Sequence, residues 1–220
     1  MPQATLGFVE EILLLQLDDT HGRFIDLPLS AADVVLAGAA LMELALDNRV
    51  DSDLEQLILV DRTPTGDDIL DDVLVELGQA GAGLSVAAAL ERISANAEKY
   101  QERALKRLVA KGILREDDGR FLWVFHTRRY PVVDDREPRE VKARLRQLLL
   151  TDEIPDPRDV VLICLIDACG LLDLVLTPDE IAETKLRVEQ LSRLDLIGQA
   201  VIKAVAEIRF IVKNAAATLY

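Results

Sequence analysis

The side chains best suited to acid–base chemistry are adjacent carboxylates, which recur along the chain. A pair of carboxylates across a cleft can hydrolyse glycosides, but that chemistry needs one pair at a defined separation. Most pairs here lie in turns or at helix starts, where Asp accepts hydrogen bonds from free backbone N–H groups. We therefore interpret them as structural capping residues. They are Asp18/Asp19, Asp67/Asp68, Asp71/Asp72, Asp117/Asp118 and Asp134/Asp135.

No other residue pattern supplies a catalytic centre or a metal site. His21 and His126 are the only histidines, and neither has a ligand spacing such as HExxH. Cys164 and Cys169 lie in an apolar helical run, on faces about 140° apart, so we expect buried thiols without a disulfide. The sequence has no phosphate-binding glycine loop and no nucleophile elbow. We predict no enzyme activity, no catalytic residue, no metal and no cofactor.

One segment, residues 85–125, has the pattern of a winged-helix DNA-binding module. Helical residues 96–111 precede a predicted β-hairpin over 113–125, with a turn at Asp118-Gly119. This makes a nucleic-acid-binding regulator the alternative function. Glu98 shares the helix with the basic residues, however, so solvated helical charge is the preferred interpretation, and we expect no nucleic acid. The basic residues are Lys99, Arg103, Lys106, Arg107 and Lys111.

A second basic cluster, over residues 128–146, alternates with acidic residues. Mixed signs at this spacing indicate a solvated surface whose charges pair with each other. A contact with a lipid headgroup or a phosphoprotein stays open as the alternative.

The overall composition restricts the class of protein. The chain has 220 residues, half of them hydrophobic, and a formal net charge of −14. That length fits one large domain, and that charge disfavours binding to nucleic acids or anionic membranes. The first residues have no basic segment and carry Glu10 and Glu11, so we expect no signal peptide. Charges interrupt the apolar runs, so we expect no transmembrane span and a cytoplasmic protein.

Hydrophobic periodicity predicts that helices position these residues. Residues 6–17 are apolar on most sides and predict a largely buried helix. Residues 49–61 predict a small hairpin, and a last helix is expected over about 194–216. The predicted fold class is mainly α, as a single compact helical domain with small β-hairpin excursions.

Five segments in the same order resemble the Golgi phosphoprotein 3 family, most closely its bacterial branch. The similarity extends from about residue 5 to about residue 213, nearly the whole chain. It predicts one domain of this family over residues 5–216. The segments are FVEEILLLQLDDTHGRF, LAGAALMELALDNRVD, PTGDDILDDVL, ERALKRLVAKGILREDDGRFLWVF and RLRQLLLTDEIPDPRDVVLICLIDACGLLDLVL.

The resemblance implies a lipid-headgroup site that this chain has changed. Eukaryotic members are peripheral membrane adaptors that bind the phosphatidylinositol 4-phosphate headgroup at Golgi membranes, through one Trp and three Arg. An ungapped alignment places the Trp at Pro28 and the arginines at Ala37, Glu98 and Gln101. All four depart from the family pattern, and a carboxylate would repel a phosphate. A neighbouring family-like arginine, Arg103, persists as a residual basic contact.

The leading hypothesis is therefore a non-enzymatic, peripheral membrane or adaptor-type domain whose headgroup-binding residues are not retained. The resemblance implies two classes of partner, an anionic lipid headgroup and the cytoplasmic tail of a glycosyltransferase. The family hairpin that joins subunits corresponds to residues 49–61, which are shorter here, so oligomerisation is left open.

Overall fold

The computed structural model describes residues 6–17, 23–25, 29–53, 56–116, 130–191, 207–208 and 210. Within these residues the chain forms α-helices and one two-stranded antiparallel sheet, which confirms the predicted mainly-α fold class. The helices are α1 Phe8–Gln16, α2 Leu29–Leu46, α3 Asp68–Ala80, α4 Val86–Ser94, α5 Ala97–Ala110, α6 Arg136–Leu150, α7 Pro157–Ala168 and α8 Pro178–Leu191. The strands are β1 Val50–Ser52 and β2 Leu57–Leu59, and a 3-10 helix covers Leu172–Leu174.

The centre of the fold is α2, which packs against α1, α3, α4, α5 and α7. Its small residues allow this close packing. A Cβ atom on Gly38 would overlap Ile208 Cδ1 and lie 3.2 Å from Leu165 Cδ1 of α7, so the position favours glycine. All nine residues of α1 are buried as well, as the apolar pattern of residues 6–17 predicts.

The two cysteines lie where the apolar run predicts. Cys164 and Cys169 are 1% and 6% exposed, and they do not form a disulfide. Burial raises the pKa of Cys169 to about 12, with a smaller contribution from the negative charge of Asp167. Both side chains therefore act as small hydrophobic residues of the core.

Local signals set several element ends. The hairpin predicted over residues 49–61 forms, with Val50 opposite Leu59. Ser85 caps α4 by accepting a hydrogen bond from Ala88 N–H. Gly112 follows α5 with a φ of 74°, a conformation in which glycine has no Cβ penalty.

Other predictions fall partly outside the described residues. The predicted hairpin over 113–125 extends into 117–129, which the structure does not describe; Leu114 forms an isolated antiparallel bridge with Val132. His21, His126 and Pro28 also lie outside the described residues. So does most of the predicted last helix, of which 207, 208 and 210 are described and helical. The domain boundaries 5–216 therefore stay a prediction.

Candidate functional site

The three described family-equivalent positions lie on α2 and α5, which pack against each other. The Ala37 side chain is fully buried in the core, so this position offers no group to a ligand. Glu98 is exposed and Gln101 is half-buried on α5. The structure thus presents a carboxylate and an amide at two positions where the family resemblance implies arginines.

A second carboxylate lies close to this surface. Asp33, one helical turn before Ala37, is exposed on α2. Partial burial raises the pKa of Asp33, and the negative charge of Glu98 raises it further. The negative charge of Glu98 on α5 is thus felt by Asp33 on α2. Only the packing of the two helices reveals that these two carboxylates act on each other.

Arg103 binds α3 and not the Asp33–Glu98 surface. Its Nη1 donates to Asp72 Oδ2 at 2.7 Å and to the Asp68 carbonyl oxygen at 2.9 Å. Lys99 Nζ lies 2.7 Å from the same Asp72 oxygen. Arg107 donates to both oxygens of the Asp67 carboxylate, at 2.9 Å for the Nη2–Oδ1 bond. We call this set the α3–α5 ladder: Lys99, Arg103 and Arg107 with Asp67, Asp68 and Asp72.

The ladder lowers the pKa of Asp67 and of Asp72. The hydrogen bond from Lys99 is the main cause of the lowered pKa of Asp72. For Asp67, burial acts to raise the pKa, but hydrogen bonds from Arg107 and the backbone N–H groups of Leu70 and Ile69 outweigh it. Asp67 also caps α3, as its sequence position predicts. Both carboxylates are therefore held in the charged state.

The same contacts bear on the winged-helix alternative. The two remaining basic residues of the 96–111 helix also pair: Lys106 lies 3.8 Å from Glu102, and Lys111 donates to Glu10 at 2.8 Å. Each of the five basic residues named for this helix thus has a carboxylate partner, which leaves no reserved basic surface on α5 for phosphates. The structure does not support nucleic-acid binding by this helix.

A buried chain of ion pairs joins α1 to α2, α6 and α7. Arg158 of α7 donates to Glu43 of α2 at 3.2 Å and to Glu11 of α1 at 3.1 Å. Arg144 of α6 donates to the other oxygen of Glu11 and to Asp159 Oδ1, both at 2.8 Å. We call the series Glu43–Arg158–Glu11–Arg144–Asp159 the buried ion chain. Arg144 departs from the prediction of a solvated surface over residues 128–146, since it reaches into the interior.

Burial dominates the electrostatics of the buried ion chain. Glu11 is 4% and Asp159 is 6% exposed. Burial raises the pKa of Glu11, Glu43 and Asp159, and the neighbouring arginines offset only part of that effect. The Arg158 guanidinium also lies 4.0 Å from the centroid of the Phe8 ring, a cation–π contact that helps to stabilise it away from water.

Two carboxylates, one from the buried ion chain and one from α1 itself, also bind the start of α1. Phe8 N–H donates to Glu43 at 2.9 Å, and Gly7 N–H donates to Glu10 at 2.9 Å. These bonds satisfy backbone N–H groups that the first helical turn leaves without intrahelical partners. Lys111 donates to both oxygens of Glu10. Glu10 and Glu11 within an apolar helix were the sequence signal for this arrangement, but their partners are more than 100 residues away.

The described residues hold no recognisable catalytic or metal centre. No group of three His, Cys, Asp or Glu among them could hold a metal ion. Tyr100 donates to Glu76 at 2.6 Å, and burial followed by this hydrogen bond raises the pKa of Tyr100 far above its usual value. Tyr100 is thus a neutral core residue and not a nucleophile. A cavity of about 410 Å³ between α7 and α8 is lined by Asp167, Leu172, Ile181, Ala182, Lys185, Val188 and Glu189.

Comparison with protein families identifies the chain. The profile of Golgi phosphoprotein 3 (GPP34) matches residues 8–208, nearly the whole length. The chain belongs to the Golgi phosphoprotein 3 family. None of the curated proteins compared with it matches.

As a member of the Golgi phosphoprotein 3 family, the protein is of the membrane-associated adaptor class. No helix in the described part of the chain is both long and apolar enough to cross a membrane. Of the residues at the family-equivalent headgroup positions, Ala37 lies in the core, Glu98 and Gln101 lie on α5, and Pro28 is outside the described residues.

Proposed function

We propose that this protein is a non-enzymatic, cytoplasmic adaptor of the Golgi phosphoprotein 3 family that lacks the phosphatidylinositol 4-phosphate site. It works at the membrane periphery by binding the cytoplasmic tail of a membrane protein. Membership of the family supports the adaptor class. The observation that carries the loss of headgroup binding is that α5 presents Glu98 and Gln101 where the resemblance implies arginines, with Asp33 of α2 exposed as well.

A headgroup phosphate is bound by charge-assisted hydrogen bonds from arginine or lysine. At this surface it would instead meet two carboxylates, and each would repel it. Arg103, the basic residue that persists nearby, already donates to Asp72 and to the Asp68 carbonyl oxygen. Moving Arg103 to a headgroup would cost both hydrogen bonds, so it is a poor substitute for the missing arginines.

The remaining class of partner from the family resemblance is a protein tail. The net charge of −14 favours a basic tail, since complementary charge speeds association and selects partners. This part of the proposal rests on family membership and charge.

Vesicle co-sedimentation at physiological salt tests the loss of headgroup binding. Vesicles of phosphatidylcholine carry either phosphatidylinositol 4-phosphate or phosphatidylserine, at matched negative charge. We expect the wild-type protein to bind both vesicles equally weakly. Glu98→Arg with Gln101→Arg should increase binding to the phosphoinositide vesicles more than to the phosphatidylserine vesicles.

A matched control adds the same charges elsewhere. Glu183→Arg with Gln190→Arg makes the same two changes at exposed positions of α8. We expect this control to affect both kinds of vesicle equally. Selective binding of the wild-type protein to phosphoinositide vesicles, lost in Arg103→Gln, would contradict the proposal.

A further inference from the structure

The buried ion chain contains three carboxylates but only two guanidinium groups. Glu43, Glu11 and Asp159 alternate with Arg158 and Arg144. Arginine keeps its proton at every pH at which a protein is folded. When all three carboxylates are ionised, the buried ion chain therefore carries one negative charge that no positive charge within it balances.

Among the residues that the structure describes, the charged groups that face the buried ion chain do not supply the missing positive charge. Lys111 of α5 is bound to Glu10 of α1. Arg107 of α5 is held by Asp67 and Asp68. Asp156 raises the pKa of Asp159, and Asp67 raises that of Glu43. These neighbours comprise two cations and four carboxylates, so they add negative charge.

Removing such a charge from water is costly unless it is paired or neutralised. The carboxylates of the buried ion chain are mostly shielded from solvent, with side chains 5% exposed in Glu11, 9% in Asp159 and 15% in Glu43. The arginines cannot change their charge. The only way to balance the charge of the buried ion chain at a low cost in free energy is therefore to add a proton to one carboxylate. The proton belongs to the coupled set and not to one named residue.

We propose that the buried ion chain is a proton-binding site that holds helix α1 more tightly after it takes up one proton. This proposal goes beyond the adaptor function and does not depend on it. The raised pKa of Glu11, Glu43 and Asp159 agrees with it. A raised pKa in the folded state means that folding binds a proton there, so stability rises as pH falls through that pKa.

Urea unfolding between about pH 7.5 and about pH 5.5, where unfolded carboxylates stay ionised, tests the proposal. The unfolding equilibrium constant of the wild-type protein should fall on acidification, approaching about tenfold per pH unit for one bound proton. Glu43→Gln removes the surplus charge but keeps an oxygen to accept from Phe8 N–H. Its unfolding constant should change much less with pH. His21 and His126 are present in both proteins, so their contribution cancels in the comparison.

Glu183→Gln is the matched control, because Glu183 is exposed on α8 and should leave the wild-type pH dependence unchanged. Equal pH dependence in the wild-type protein and Glu43→Gln would overturn the proposal, as would a wild-type unfolding constant that rises on acidification. If Glu43→Gln does not fold, Asp159→Asn makes the same comparison. Amide hydrogen exchange provides a local measurement: α1 amides should exchange more slowly at the acidic pH after correction for intrinsic rates, and faster exchange would equally contradict the proposal.

Discussion

The α3–α5 ladder and the buried ion chain are both built from basic side chains paired with carboxylates. In the ladder, Asp68 and Asp72 are partly open to water, and the lysine and arginine partners lower the pKa of Asp72. In the buried ion chain, Glu11 has two arginine partners and still has a raised pKa. The pKa of a carboxylate is therefore not set by the number of its ion-pair partners, but by its burial and by the balance of charge around it.

The two regions also differ in what happens when a residue loses its ion-pair partner. A ladder residue that has lost its partner is hydrated by solvent, so losing that partner costs little free energy of unfolding. A carboxylate of the buried ion chain left alone stays in the interior without compensation. The same substitution in the two regions should therefore have very different effects on the free energy of unfolding.

The largest effect is expected for Arg158→Met. This change keeps much of the side-chain volume but leaves Glu11 with one cation and Glu43 with none, at a cost of about 3–5 kcal/mol. Urea unfolding at pH 7.5 measures it. The matched change in the ladder, Arg103→Met, should cost less than about 1 kcal/mol. Equal losses in the two variants would contradict the distinction between the regions.

An intermediate effect is expected for Asp67→Ala, which belongs to the ladder but also caps α3. The change removes the acceptor for Ile69 and Leu70 N–H as well as the partner of Arg107. We expect a loss of about 1–2 kcal/mol in the free energy of unfolding, mostly from the cap. Asp67→Ser tests this division, because serine restores the cap without the charge and should recover most of the loss.

The smallest effect is expected for Asp72→Asn, and it should depend on pH. The lowered pKa of Asp72 means that its contribution is present above the unfolded-state pKa of about 3.9 and is lost as pH falls through the folded-state pKa. Urea unfolding from about pH 5 to about pH 2.5 should show a smaller acid loss of stability in Asp72→Asn than in the wild-type protein. A larger acid loss in the variant would show that Asp72 does not act through its charge.

Predictions from the sequence were most accurate where the signal is local. The helical period of residues 6–17 and the small hairpin over residues 49–61 each depend on a few neighbouring residues, and the structure confirms both. The capping interpretation of Asp67 is also confirmed, but its bonds to Arg107 were not predicted, because the two residues are 40 positions apart. The mixed charges over 128–146 predicted a surface paired with itself. That holds for Arg136 with Asp134 and fails for Arg144.

The candidate site also combines features that follow from the sequence with features that follow from packing. The family resemblance predicts Ala37, Glu98 and Gln101 as changed headgroup positions, and this assignment stays a prediction. That Ala37 faces the core, that Asp33 stands near Glu98, and that Arg103 is held by α3 are consequences of helix packing.

The sequence by itself determined the helical class and the family, because periodicity and motif order are written along the chain. Only the tertiary structure decided which charges are buried together. The three carboxylates and two arginines of the buried ion chain come from α1, α2, α6 and α7, and the paired residues Glu11 and Arg158 are 147 positions apart. Their surplus charge exists only once those four helices have packed.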